Sequence, residues 1–354
     1  MKKFLKKTSL FLLPIFMAFI FTECFYSTKK GDLLRIGYLA DIYNYDSELV
    51  FKNEFVRKIF YSEISELDLS REQNFKILVI GDSFSEFGLR GYNNYLAETN
   101  NNSLLNFNSF LCKNPLQALY SIINGGVLDK IKVEYIVLQS VERAIVERAS
   151  IDTTMLISID SLKNKFVKYK IDKKLNDEKK SEVDRLFSNR LLKFTFFNIK
   201  YLFSDNAFNS ATYAVNSTDK LFSANTNKLL FLENDIKALE NNSNFKKVEK
   251  LNNELNELSK KLSEKAIKLI VLPCPDKYDL YYEYIVNKQN YPKPLFFEHL
   301  YKMPKNYLFI DAKSILKNAV KHQKDIYKFD DSHWSPISSK LVANEINRII
   351  KNRK

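Results

Sequence analysis

Five short apolar runs punctuate the chain: "FKILVIG" (75–81), "SLLNFN" (103–108), "VEYIVLQS" (133–140), "AIKLIVLPCP" (266–275) and "NYLFID" (306–311). Most are continuous rather than alternating. Continuous apolar strands are covered on both faces, which predicts a parallel sheet between two helix layers. The intervening segments carry apolar residues at helical spacing. "KNPLQALYSIINGG" (113–126) ends at Gly125–Gly126, a common helix stop. The stretch 232–265, rich in Leu, Glu and Lys, reads as one long helix or two, with an interruption at Asn241–Asn244. In "SPISSKLVANEINRIIKNRK" Ser335 stands at a cap position and Pro336 in the first turn of a final helix.

About 125 residues separate the third and fourth runs, far more than one crossover helix needs. Residues 150–230 are therefore expected to be a largely helical inserted subdomain. Within it, "SEVDRLFSNRLLKFTFFNIKYLF" (181–203) has a thick apolar face, suited to core packing, to capping a site, to a membrane or to a partner.

The N-terminus follows a different pattern. Four lysines in the first seven residues precede "TSLFLLPIFMAFIFT" (8–22), which has no charge. A basic head before an apolar stretch is an export signal. Fifteen residues fit a signal-peptide core better than a full span of about 20. No small-x-small cleavage site follows, however, and Glu23 spoils "FTEC" as a lipoprotein box. An uncleaved anchor reaching about Tyr26 remains the alternative. The lysines place the head in the cytoplasm and the body, residues 31–350, in the cell envelope, outside the inner membrane.

The 354 residues carry a net charge of +13. Residues 1–30 account for +5 of it, leaving +8 on the body. That excess fits either a polyanionic envelope partner or a solvated lysine-rich surface. No helix-turn-helix, zinc or RNA-module pattern points to nucleic acid. Cys24, Cys112 and Cys274 are too far apart to indicate a metal site or a disulfide framework, although one Cys112–Cys274 bridge is conceivable.

Candidate chemistry lies at the ends of the runs. In an open parallel sheet, ligands bind at the carboxyl edge. Ser83, in "ILVIGDSFSEFG" (77–88), follows the first run by two residues. Serine is a weak nucleophile without a nearby base. His333, in "YKFDDSHWSP" (327–336), follows the last run at the same edge. Asp331, two residues before it, can accept from Nδ1–H and leave Nε2 free to take the serine proton. Asp330 is the runner-up. Each motif alone is weak, since Gly-Asp-Ser is often only a turn and a lone histidine is usually structural.

Together the motifs resemble the SGNH (GDSL-like) hydrolase superfamily. They are most similar to its Asp-x-His-Trp branch of alginate O-acetylation proteins and related bacterial polysaccharide O-acetyltransferases. "VIGDSFS" matches the nucleophile block and "DSHWSP" the histidine block. "GDLLRIGYL", "VLQSVER" and "PCPDKYDLYYEY" add weaker similarity. The resemblance implies a flavodoxin-like three-layer α/β/α fold with a five-stranded parallel sheet. It also implies a catalytic Ser83–His333–Asp331 triad, acyl transfer through an acyl-serine with no cofactor or metal, and a membrane-bound O-acyltransferase as partner.

Two blocks depart from the family pattern. "NFNSF" (106–110) puts Asn108 or Ser109 where an oxyanion-hole glycine is expected, and "QSVER" lacks the Gly-x-Asn-Asp block. Arg143 is a candidate charged donor or substrate anchor, or else part of a structural ion pair. Lys277 is expected at an exposed strand end. The leading expectation is O-acetyl transfer to, or hydrolysis from, an envelope polysaccharide or other acylated glycan. The rivals are a catalytically silent envelope protein that binds glycan or membrane partners, and a lipid esterase with an apolar cleft under the insertion.

Overall fold

The computed structural model describes residues 1–26, 30–54, 56, 58–68, 70–179 and 189–352. Its strands are β1 (Ser62–Glu63), β2 (Gln73–Ile80), β3 (Leu104–Phe107), β4 (Ile131–Val141), β5 (Thr212–Asn216), β6 (Lys228–Leu232), β7 (Lys268–Cys274) and β8 (Leu308–Phe309). Six of them form one parallel sheet in the order β1-β3-β2-β4-β7-β8. Without β1 this is the flavodoxin-like order. All five expected strands are present. The sixth is a two-residue edge pairing with β3, too short to leave a pattern in the sequence.

The helices used below are α1 (Lys2–Phe25), α2 (Asp32–Ile36), α3 (Tyr92–Glu98), α4 (Pro115–Asn124), α5 (Ile159–Lys179), α6 (Asn189–Tyr201), α7 (Phe245–Ser263), α8 (Lys277–Tyr281), α9 (Ala312–Val320) and α10 (Pro336–Lys351). Alternation along each strand divides the core in two. Ile77 and Val79 of β2 face one cluster with residues of α3, α9 and α10. Leu78 and Ile80 face the other, with residues of α4 and α7. These are the two helix layers that the continuous apolar runs predict.

The expected break at Asn241–Asn244 is real: Asn244 caps α7 by accepting from the Lys247 N–H at 3.2 Å. Ser335 stands at the N-cap of α10, but its hydroxyl makes no capping bond. The cysteines are free thiols.

The inserted region holds α5 and α6 and also an antiparallel hairpin, β5–β6, where a largely helical unit was expected. Residues 181–188 of its expected helix lie outside the described residues. The hairpin braces the body. Thr212 Oγ1 donates to the Leu33 carbonyl of α2 at 2.9 Å, and Phe231 packs on Tyr278 of α8 at 4.9 Å between ring centres. Both helices support the site described next.

Candidate active site

β2 delivers Ser83. The strand ends at Ile80, and Ser83 opens a single 3-10 turn, Ser83–Ser85. Gly81 permits the tight exit: a Cβ there would lie 2.1 Å from Ser85 Oγ and 2.4 Å from Gln139 Oε1, so only glycine fits. The turn is fixed from behind by Asp82. Its carboxylate accepts from the Phe84 N–H (3.2 Å), the Gln139 amide (2.8 Å), the Val141 N–H (2.8 Å) and the Arg148 guanidinium (2.5 Å). Burial pushes the Asp82 carboxyl up, but Arg148, the Val141 N–H and Gln139 outweigh it and hold it below the usual carboxylate range. Ser83 itself is exposed. Among the described residues nothing accepts from its backbone N–H.

The segment after β8 and α9 delivers His333. Trp334 is buried edge-on against Phe84, with ring centres 5.0 Å apart. The His333 ring lies against Phe84 and Phe87, at 4.8 and 4.9 Å. His333 Nε2 is 2.8 Å from Ser83 Oγ, and its Nδ1 is 2.7 Å from Asp331 Oδ1. Asp331 also accepts from the His333 N–H at 3.0 Å. Burial would raise the Asp331 carboxyl, but the His333 ring and nearby Lys328 hold it well below its ordinary value. An ionised Asp331 can only accept, so Nδ1 carries the ring proton and Nε2 is the acceptor facing the serine hydroxyl.

Asp330, the runner-up, faces elsewhere. Its carboxylate accepts from the Gly31 N–H at 2.9 Å and its carbonyl from the Leu33 N–H at 3.0 Å. Asp32 takes the Ser332 N–H at 2.8 Å and the Ser332 hydroxyl at 2.6 Å. The start of α2 therefore straps the histidine loop across 300 residues of sequence.

Lys277 departs most from expectation. It is fully buried rather than exposed. Its ammonium donates to the carbonyls of Lys328 (2.7 Å), Phe329 (2.8 Å) and Asp331 (3.1 Å). The loop's backbone folds over the end of β7 and needs a donor there, because buried carbonyls are costly without one. Burial lowers the Lys277 pKa to about 7, against the opposing pull of Asp330, Asp331, Asp32 and Asp235.

The two departing blocks are occupied with other bonds. The Asn108 amide donates to Glu63 at 2.7 Å, and the Ser109 N–H donates to Glu86 at 2.8 Å. Arg143 forms ion pairs with Asp276 at 2.7 Å and Asp235 at 3.4 Å. Sequence reasoning missed Arg148, which sits five residues beyond Arg143 and reaches Asp82 instead.

A cleft of about 650 Å³ opens beside His333. Lys30, Asp32, Arg35, Glu48, Arg90 and Lys328 give it a charged lining. Among the described residues, none from 150–230 lines it. Asp32, Asp331 and His333 bring potential metal ligands within 4.8 Å of one another, yet Ser332 and His333 already occupy these carboxylates.

Ser83, His333 and Asp331 thus meet at the carboxyl edge of the sheet. Residues 227–354 match the family model described as SGNH hydrolase-like domain, acetyltransferase AlgX. That match supports the SGNH superfamily with alginate O-acetylation relatives, as the motifs indicated. The matched span includes Lys277, Asp331 and His333, while Ser83 lies outside it. No curated protein and no solved structure matches the chain.

Proposed function

We propose that this protein is a cell-envelope acyl-ester enzyme that transfers or hydrolyses an O-acetyl group of a polysaccharide through an acyl-serine. The observation that carries the reading is the continuous chain from Ser83 Oγ through His333 to Asp331, at 2.8 and 2.7 Å. Both distances are within the reach that proton transfer needs.

In this reading His333 Nε2 removes the Ser83 proton as Oγ attacks the acyl carbonyl. Asp331 holds the ring and stabilises the imidazolium. The Ser83 N–H, without an acceptor among the described residues, would donate to the developing oxyanion. His333 then returns the proton to the departing oxygen, leaving an acetyl ester on Ser83. A water or a sugar hydroxyl, deprotonated by His333, attacks that ester and releases the serine. A membrane-bound O-acyltransferase is the proposed acyl source.

The charged cleft supports a polar, sugar-like acceptor over a lipid. Helix α1, with a mean hydropathy of 1.8 over an 18-residue window, is long and apolar enough to cross a membrane, which supports anchorage by residues 1–30 with the domain of residues 31–350 outside. The test is Ser83→Ala. The full chain should label with a fluorophosphonate and cleave an activated acetyl ester, and the variant should lose the label and all but about 10⁻⁶ of the rate. Equal labelling of both proteins would sink the reading.

A further inference from the structure

Helix α6 is apolar on two sides. Phe194, Asn198 and Tyr201 turn inward, where Asn198 donates to the Tyr38 carbonyl (2.7 Å) and accepts from the Ala40 N–H (2.8 Å). Phe196 and Ile199 turn outward, and the same stripe continues through the next turn to Leu202 and Phe203. These side chains are 58, 52, 76 and 83% exposed. Phe208 joins them at 60%. It is held in the left-handed region at φ 51°, a conformation that is costly for an aromatic residue.

The inward face of the same helix, opposite this stripe, meets the end of α1. Phe21 and Tyr26 pack on Phe194 of α6, with ring centres 5.4 and 5.5 Å apart. The Asp41 N–H donates to the Phe25 carbonyl at 2.9 Å, which brings the exposed Ile42 to the same place. Exposed Lys193 and Lys200 lie on the same helix. An outward apolar stripe with flanking lysines suits the headgroup and acyl-chain boundary of an anionic membrane.

We propose that Ile42, Phe196, Ile199, Leu202, Phe203 and Phe208 rest in the interface of the bilayer that α1 enters. The proposal rests on the anchored reading of α1. Two attachments, a spanning helix and a seated surface, fix the domain's tilt where a single helix would leave it free to swing. The acyl-serine site would then be held at a set orientation above the membrane.

The test uses the full chain in phosphatidylethanolamine–phosphatidylglycerol vesicles with brominated acyl chains, which quench nearby tryptophan. The native Trp334 is buried and gives a constant background. Phe203→Trp is expected to lose about half of its added emission, as an interfacial side chain should. Phe245→Trp, on α7 in the opposite helix layer, should lose almost none. Phe11→Trp, within α1, reports on the anchor separately. Quenching at Phe11→Trp without quenching at Phe203→Trp overturns the seating and leaves the anchor standing. Quenching at neither overturns both. If Phe203→Trp is unquenched and the chain is dimeric, the surface belongs to a second copy instead.

Discussion

Asp82 behind Ser83 and Lys277 beneath His333 are both buried charges that tie a turn to the sheet, but they are compensated differently. Asp82 meets a guanidinium and three neutral donors. Lys277 meets three backbone carbonyls and, among the described residues, no carboxylate within bonding distance. A charge satisfied by an opposite charge keeps its ionisation through the neutral range. A buried charge whose opposite charges all stand beyond bonding distance sits closer to losing it. The Ser83 end of the site is therefore expected to keep its charge state near neutrality, and the His333 end to respond to pH.

Breaking the compensated end should have the larger effect. Asp82→Ala leaves Arg148 without its carboxylate and strands the Val141 N–H and the Gln139 amide. Removing one partner of a buried pair costs about 3–5 kcal/mol, to be read from urea unfolding of the wild type and the variant. The contribution of Asp82 is present above the ordinary carboxylate pKa. It is lost as pH falls through its lower folded value, so the gap between the two proteins should close only in acid. A gap below about 1 kcal/mol at neutral pH would mean that the network is not what holds the turn.

Breaking the uncompensated end should cost less stability and show more in pH dependence. Lys277→Met strands three carbonyls but also removes the burial of an ammonium, for a net loss of about 1–3 kcal/mol. The sign of the pH effect follows from the lowered pKa. Between about 7 and the ordinary 10.5, the unfolded chain holds a proton on Lys277 that the folded chain does not. Wild-type stability therefore rises with pH across that window relative to Lys277→Met, by about 1.4 kcal/mol per unit at most. Groups common to both proteins cancel in the difference. Turnover should fall by about a hundredfold with KM held, because the loss is of His333 positioning rather than of binding. A flat difference between pH 7 and 9 would refute the buried-cation account.

The same contrast explains what the sequence makes legible. Ser83 directly follows an apolar run, and Asp331 and His333 directly precede a helix opened by Pro336; each motif is weak alone, but the two mark one sheet edge, and the five strands stand out as apolar runs. Lys277 did not, because a lysine after a strand is usually solvated. Its acceptors are carbonyls 51–54 residues away, and no residue type marks a carbonyl. The strap from Asp32 to Ser332 spans 300 residues and is equally invisible. β5 and β6 were missed because residues 217–227 separate them, with no tight-turn signature to mark a hairpin.

The smallest expected effect concerns the oxyanion side. Ile80 of β2 pairs with Phe107 of β3, so the segments carrying Ser83 and Ser109 leave the sheet side by side. Among the described residues the Ser83 N–H is without an acceptor, whereas the Ser109 N–H is held by the exposed Glu86 carboxylate at 2.8 Å. A preorganised donor is worth about 10²–10³ in rate. Glu86→Ala frees this amide but also loosens its loop, so turnover of an activated acetyl ester should rise by only about threefold. Glu86→Gln keeps an acceptor on the amide and removes the negative charge, so any gain from it isolates the charge repulsion. A rise in the alanine variant alone assigns the second oxyanion donor to Ser109. A fall in both variants means that Glu86 holds the loop in its working position, and that Ser83 works with its own N–H and a donor supplied from elsewhere.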